Sequence, residues 1–229
     1  MSYFLFRKIS YDDYKNFQLP KYLEIVLQRR FSKSCRILDY GCGFGQMLNA
    51  LHKAGFTNLY GVEIDKQAID HTGKSHLLID PKSPEWNRAF LNHFELIILS
   101  HVLEHIPKKK IISFLENIKN HLKPGGSLII MVPNAQSNTG CYWAFEDFTH
   151  EYLFTSGSLY YVLRAAGFTS IEFLDPDCTV GLPTIRKFLK QALLLIYKSK
   201  LFFWNQASSS SYHKPSPQIF SYEIKAIAS

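Results

Sequence analysis

Eight residues, Leu38-Asp39-Tyr40-Gly41-Cys42-Gly43-Phe44-Gly45, constrain this chain more than any others, because they carry an apolar run into a helix start through three glycines. Ile37 and Leu38 close the run as a buried strand. Phe44, Met47, Leu48 and Leu51 then recur at helical spacing until Gly55 supplies a stop, which predicts a helix over 44–54. Gly41 permits the tight turn, and Gly43 removes a side chain where a ligand would press on backbone. A strand, turn and helix joined in this way form a nucleotide cradle. Gly45 falls one residue too early for the dinucleotide fingerprint, whose last glycine would stand at Gln46, and no Gly-Lys-Ser/Thr follows, so a P-loop is excluded.

The rest of the chain alternates strands with helices and has no internal repeat, the pattern of a parallel sheet covered on both faces. Strands are expected at 58–64, 76–80, 94–100, 127–133 and 170–174, with helices near 66–72 and 108–122, the latter ended by Lys123-Pro124-Gly125-Gly126. Ser156 is expected to cap a helix through Ala166 that Gly167 stops. Phe220–Ile227 alternates as a final strand, so the run Ser208–Ser211 is expected to be a loop and not a tail. Residues 1–34 read as a basic N-terminal helical cap, 35–175 as the core, 176–219 as an insertion and 220–229 as a strand returning to the core.

Charge narrows the function. Residues 1–36 carry 8 basic and 3 acidic side chains, 37–180 carry 11 and 15, and 181–229 carry 7 and 1, so the net +7 lies at the two ends around an acidic core. A nucleic-acid enzyme would put positive charge around its active site, so no nucleic-acid partner is expected, whereas basic ends suit an anionic surface. Cysteines 35, 42, 141 and 178 form no Cys-x-x-Cys pair, which points to a reducing cytoplasm and to neither a disulfide nor a metal. The N-terminus lacks the apolar core of a signal peptide, and lysines interrupt the longest apolar stretch too often for a spanning helix.

A nucleotide cradle needs an acid about twenty residues downstream for the ribose hydroxyls, and Glu63 follows Gly45 by 18, with Asp65 as its neighbouring competitor. Leu38–Gly45, Gly61-Val62-Glu63-Ile64-Asp65, Phe94–Ile106 and Leu122–Gly126 stand in an order that resembles the class I S-adenosylmethionine-dependent methyltransferases over residues 35–175. That resemblance implies an α/β, doubly wound, mostly parallel seven-stranded Rossmann-like sheet of order 3-2-1-4-5-7-6, here with an insertion between the last two strands. It implies S-adenosylmethionine as cofactor. Asp39, Tyr40, Gly41, Gly43 and Gly45 would hold the methionine part, Glu63 the ribose, Ile64 the adenine face and Asp80 its amino group, while Ser100 and His101 would lie under the sulfonium.

His101-Val102-Leu103-Glu104-His105 also matches the inverted zinc-peptidase signature. It directly follows a buried strand, and Pro107 leaves hardly a turn of helix for it, so no metal role is expected and His105 is read as a local hydrogen-bonding residue. Residues 134–155, with six aromatics, are too long for a simple connection. Pro133-Asn134-Ala135, Asp147-Phe148-Thr149-His150-Glu151, Phe154-Thr155, Ser158-Leu159 and Ala166-Gly167-Phe168 make residues 133–168 resemble methyltransferases of bacterial surface-glycan biosynthesis. The same site would serve a quinone-like or other small-molecule acceptor, or a binding module without turnover. His150, oriented by Glu151 or Asp147, is the candidate base, with His101 a further catalytic candidate, and Tyr142, Trp143 and Phe145 are candidates for a flat platform. Helix 184–204 is expected to place Ile185, Phe188, Leu189, Ala192, Leu195, Ile196 and Phe203 on one side and Arg186, Lys187, Lys190, Lys198 and Lys200 largely on the other. It would serve as a homodimer or own-domain face, or as a peripheral contact with a membrane.

Overall fold

The computed structural model describes residues 8–210 and 217–229. Helix α1 (Lys21–Arg30) precedes β1 (Arg36–Tyr40), α2 (Gln46–Lys53), β2 (Asn58–Val62), α3 (Lys66–Thr72), β3 (Leu77–Leu78), α4 (Trp86–Ala89) and β4 (Phe94–Ser100). Then come α5 (Ile111–His121), β5 (Leu122–Pro133), α6 (Gly140–Glu146), α7 (Ser156–Ala165), β6 (Ile171–Phe173), α8 (Thr184–Ala207) and β7 (Glu223–Ala228). The strands form one sheet of order β3-β2-β1-β4-β5-β7-β6. β7 runs antiparallel to both β5 and β6, and the other pairings are parallel. The expected sheet order and the returning last strand are therefore both present.

Apolar periodicity explains the layers. β4 reads Phe-Glu-Leu-Ile-Ile-Leu-Ser and is buried on both faces, as a central parallel strand must be. One core gathers Leu38, Ile97, Leu99 and Leu128 against Leu115 and Ile118 of α5 and Leu159 and Leu163 of α7. The second gathers Ile37, Leu96, Ile98 and Ile129 against Leu23 and Leu27 of α1 and Met47 and Leu51 of α2.

Three local expectations change. β5 begins at Leu122 and not at 127: Phe94 pairs with Leu122 and Leu96 with Ser127, so Lys123–Gly126 bulge out opposite Glu95, with Gly125 at φ 76°. Thr155, not Ser156, caps α7, accepting from the Ser158 amide while Ser158 Oγ accepts from the Thr155 amide, and the Ser156 hydroxyl donates instead to the Pro217 carbonyl. Residues 134–155 hold the short helix α6, which their irregular pattern hid. Residues 1–7 of the expected cap and the expectation at Ser211 lie outside the described residues.

Candidate active site

All three cradle glycines have positive φ, at 83°, 51° and 77° for Gly41, Gly43 and Gly45. A Cβ at Gly41 would meet Val102 Cγ2 at 2.5 Å, so the turn after β1 rests directly on the segment after β4. The Glu63 carboxylate stands across the turn: Oε2 accepts from the Gly43 amide at 2.7 Å, and Oε1 from the Ile64 and Asp65 amides at 2.7 and 2.8 Å. Its rival is spoken for, because Asp65 Oδ1 caps α3 through the Gln67 and Ala68 amides.

Asp39 is 2% exposed at the end of β1, and burial, reinforced by the Glu63 charge, pushes its carboxyl up to about 7. A buried acid held so high fits a cationic ligand, since a nearby ammonium or sulfonium would restore its charge. Ile64 is 78% exposed beside Glu63 and offers an apolar surface to a flat base. The residues therefore fit S-adenosylmethionine. The Tyr40 ring packs edge-on against Trp86 and Phe114, and Asp80 is exposed, with Oδ1 accepting from the Lys82 amide. Ser100 ends β4, as expected.

His101 is held between two carboxylates. At φ 55° its ring lies between two acids, Nδ1 at 3.1 Å from Glu104 Oε1 and Nε2 at 3.3 Å from Glu223 Oε2. Burial opposes its charge, but the two hydrogen bonds and charges prevail and hold it up at about 10. Both ring nitrogens face carboxylates, an arrangement that favours the imidazolium over a proton-accepting imidazole. Behind it, Lys225 of β7 is 2% exposed and lies 3.5 Å from Glu223 and 3.6 Å from Asp175. This row, in which Lys225, Glu223 and Glu104 are buried and His101 is partly exposed, was missed in the sequence. Its one signal is an acid and a lysine inside an otherwise apolar final strand.

His150 belongs to the same neighbourhood. A three-residue 3₁₀ turn, Leu103–His105, follows β4, with Leu103 in the core and His105 Nδ1 against the hydroxyl and carbonyl of Thr149, a partner 44 residues on rather than a local one. The His105 and His150 rings lie 4.8 Å apart, and His150 Nδ1 lies 2.7 Å from the Trp143 carbonyl. Asp147, buried and 3.9 Å from His150 Nε2, is the neighbouring acid. Glu151 is exposed, and its amide donates to the Glu104 carbonyl. Tyr142 and Trp143 meet at 80°, so they do not make a flat platform.

On the insertion helix the apolar side is largely the exposed one. Among its described residues none of α8 is buried. Lys190 and Lys198 turn toward the domain, donating to the Cys178 carbonyl and to Asp177, while Ile185, Phe188, Ile196, Phe202 and Trp204 face outward, each more than half exposed. Between α8, residues 137–139 and the start of β7 runs a groove of about 540 Å³, apolar along Leu189, Leu193 and Phe220, with Arg186 and Lys190 in its wall. No described helix is long and apolar enough to cross a membrane.

A family model described as "Methyltransferase domain" matches residues 10–172. The chain is 31% identical over 114 residues to the ribosomal protein L11 methyltransferase of Dechloromonas aromatica, covering 45% of this chain and 34% of that protein. It is 30% identical over 110 residues to the ubiquinone biosynthesis O-methyltransferase of Actinobacillus pleuropneumoniae, covering 43% and 46%. The chain thus spans less than half the length of these curated relatives. A SAM-dependent methyltransferase structure from Archaeoglobus fulgidus shares the fold, with a TM-score of 0.64 at 19% identity over 99% of this chain and 98% of that one. These relatives are not named as glycan enzymes.

Proposed function

Because the chain belongs to the S-adenosylmethionine-dependent methyltransferase-domain family, we propose that it transfers the cofactor's methyl group to a hydroxyl oxygen of a lipid-linked acceptor, a glycan in the first reading. The groove beside α8 carries this reading: its apolar wall suits a lipid chain, and Arg186 and Lys190 suit the phosphate that joins lipid to sugar. A quinone-class acceptor is the second reading, supported by the likeness to an O-methyltransferase of ubiquinone biosynthesis.

When bound, S-adenosylmethionine supplies an electrophilic methyl group. The chain's own part is binding and alignment. Asp39 would receive the cationic methionine end, Glu63 the ribose and Ile64 the adenine face, while the Gly41–Val102 contact fixes the cradle against the end of β4. In-line displacement at a cation gains most from such positioning, about 7–11 kcal/mol in good cases. His150 Nδ1 faces a carbonyl, which only accepts, so the proton sits there and Nε2 has the lone pair able to take the acceptor's proton. The outward apolar side of α8 would rest on the bilayer that holds the acceptor.

The experiment follows methyl label from S-adenosylmethionine into chloroform-extractable acceptors. Polyprenyl-linked saccharides are tested beside prenylated hydroxyquinol compounds. Label in the saccharide arm supports the first reading, label in the quinol arm the second, and label in water-soluble acceptors alone overturns both.

A further inference from the structure

We propose that Glu104, His105 and His150 form a binding site for one divalent transition-metal ion of the zinc type, tying the segment after β5 to the end of β4. One ligand atom from each residue lies within 4.8 Å of the other two. Bonds of about 2.0–2.2 Å to such an ion place neighbouring ligand atoms about 3–3.5 Å apart, so the group must close by about 1–2 Å. A one-turn 3₁₀ segment and a loop can make that adjustment.

Three independent details prepare these groups as ligands. Glu104 is 0% exposed, with Oε1 bound to His101 and Oε2, fully buried, without a partner. A buried carboxylate oxygen left unmatched is costly, and a cation removes that cost. His105 Nδ1 faces the Thr149 carbonyl, which can only accept, and a Thr149 hydroxyl already donating to Asp147 at 2.6 Å. The proton must therefore sit on Nδ1, leaving the lone pair on Nε2. His150 repeats the arrangement, its Nδ1 facing the Trp143 carbonyl at 2.7 Å. Metal-binding imidazoles are held in this way, one nitrogen donating to a carbonyl or a carboxylate-linked group while the other turns to the ion.

Two imidazoles and one carboxylate favour zinc, iron, cobalt or manganese over magnesium or calcium, which prefer oxygen. Three protein ligands leave at least one position for a water or an acceptor oxygen. The main-chain bonds already run along the same seam, since the Glu104 carbonyl accepts from the Glu151 amide at 2.8 Å. The sequence motif His-x-x-Glu-His thus contributes its Glu104 and His105, while its first histidine, His101, supports Glu104 from behind. The site does not depend on which acceptor is methylated, but an ion here takes up the His150 Nε2 lone pair, so metal ligand and proton acceptor are alternative roles of that one atom.

The test uses tag-free full-length protein carrying Cys141→Ser, which removes the exposed thiol, stripped with a chelator and titrated with zinc against a chromophoric chelator. Cobalt loading gives a second readout through its visible ligand-field bands. One ion per chain is expected. Glu104→Gln and His150→Ala should each weaken zinc at least tenfold, and Asp147→Asn, acting through Thr149 and His105, about 10–100-fold. S-adenosylhomocysteine affinity and thermal unfolding in the same preparations show that each variant is folded and that the cofactor site is separate. A wild-type stoichiometry near zero overturns the proposal without any variant, as does zinc affinity unchanged in both folded Glu104→Gln and His150→Ala proteins.

Discussion

Replacing Glu63 by Ala isolates the step from cradle to cofactor. A carboxylate offers about four acceptor positions. Three are filled by the Gly43, Ile64 and Asp65 amides, so one is left for a ribose hydroxyl and a second opens only if Gly43 lets go. One charge-assisted bond is worth about 1.5–3 kcal/mol, which converts to a loss of about tenfold to about 150-fold in affinity. The assay is calorimetric titration with S-adenosylhomocysteine, which shares the ribose and lacks the transferable methyl. Asp65→Asn serves as the control, since Asp65 caps α3 and an Asn Oδ1 can accept from the same amides: it should change stability by less than about 0.5 kcal/mol and leave affinity within about threefold. A folded Glu63→Ala protein that binds within about threefold of wild type, or a greater loss in Asp65→Asn, refutes the assignment of the ribose to Glu63.

Asp39 gives a pH signature. Its pKa rises from 3.8 in the unfolded chain to about 7 when folded, so the folded state holds the proton more tightly and stability falls as pH climbs between those values. Asp39→Asn should therefore raise stability at pH 8 by about 2–4 kcal/mol, an advantage that shrinks toward pH 4 in urea titrations, while weakening S-adenosylhomocysteine. At Gly61 an added Cβ would meet Leu78 Cδ2 at 2.7 Å and Cys42 Sγ at 2.8 Å, so Gly61→Ala should cost about 1–3 kcal/mol in chemical denaturation. Asn134 is fully buried, donates to the Ile219 and Ser221 carbonyls and accepts from the Gln136 amide; Asn134→Ala should lower stability by about 2–4 kcal/mol and raise amide exchange at the start of β7. Phe202→Glu with Trp204→Glu should abolish cosedimentation with anionic vesicles, and vesicle binding that survives the pair would show that α8 is not the contact.

What could be read from the chain depended on whether a residue's partner was local. The glycine turn, the buried β4 and the Gly167 stop declare themselves through backbone freedom and apolar runs, and each lies where the pattern put it. Asp65 and Glu63 could not be ranked from spacing, because only the α3 amides reveal that one of them is a cap. Glu104 depends on His101 and Glu223, residues brought together by a strand more than a hundred positions away, and no local period records that. On α8 the helix was legible, but its faces were not. Lys190 and Lys198 find the Cys178 carbonyl and Asp177, and this turns the apolar side outward against the usual rule. Irregular aromatic sequence likewise concealed α6, whose short span carries no second turn of period to detect.

The central claim, a methyl transfer run from the Asp39–Glu63 cradle, is tested most directly by conversion of S-adenosylmethionine to S-adenosylhomocysteine by the full chain with membrane-lipid extract as acceptor. Product should appear only when extract is present, in equal amount to the methyl label recovered in the lipid phase, and Glu63→Ala should depress it at subsaturating cofactor. S-adenosylmethionine that fails to bind, or product formed with no methyl label in any extract fraction, would contradict the account.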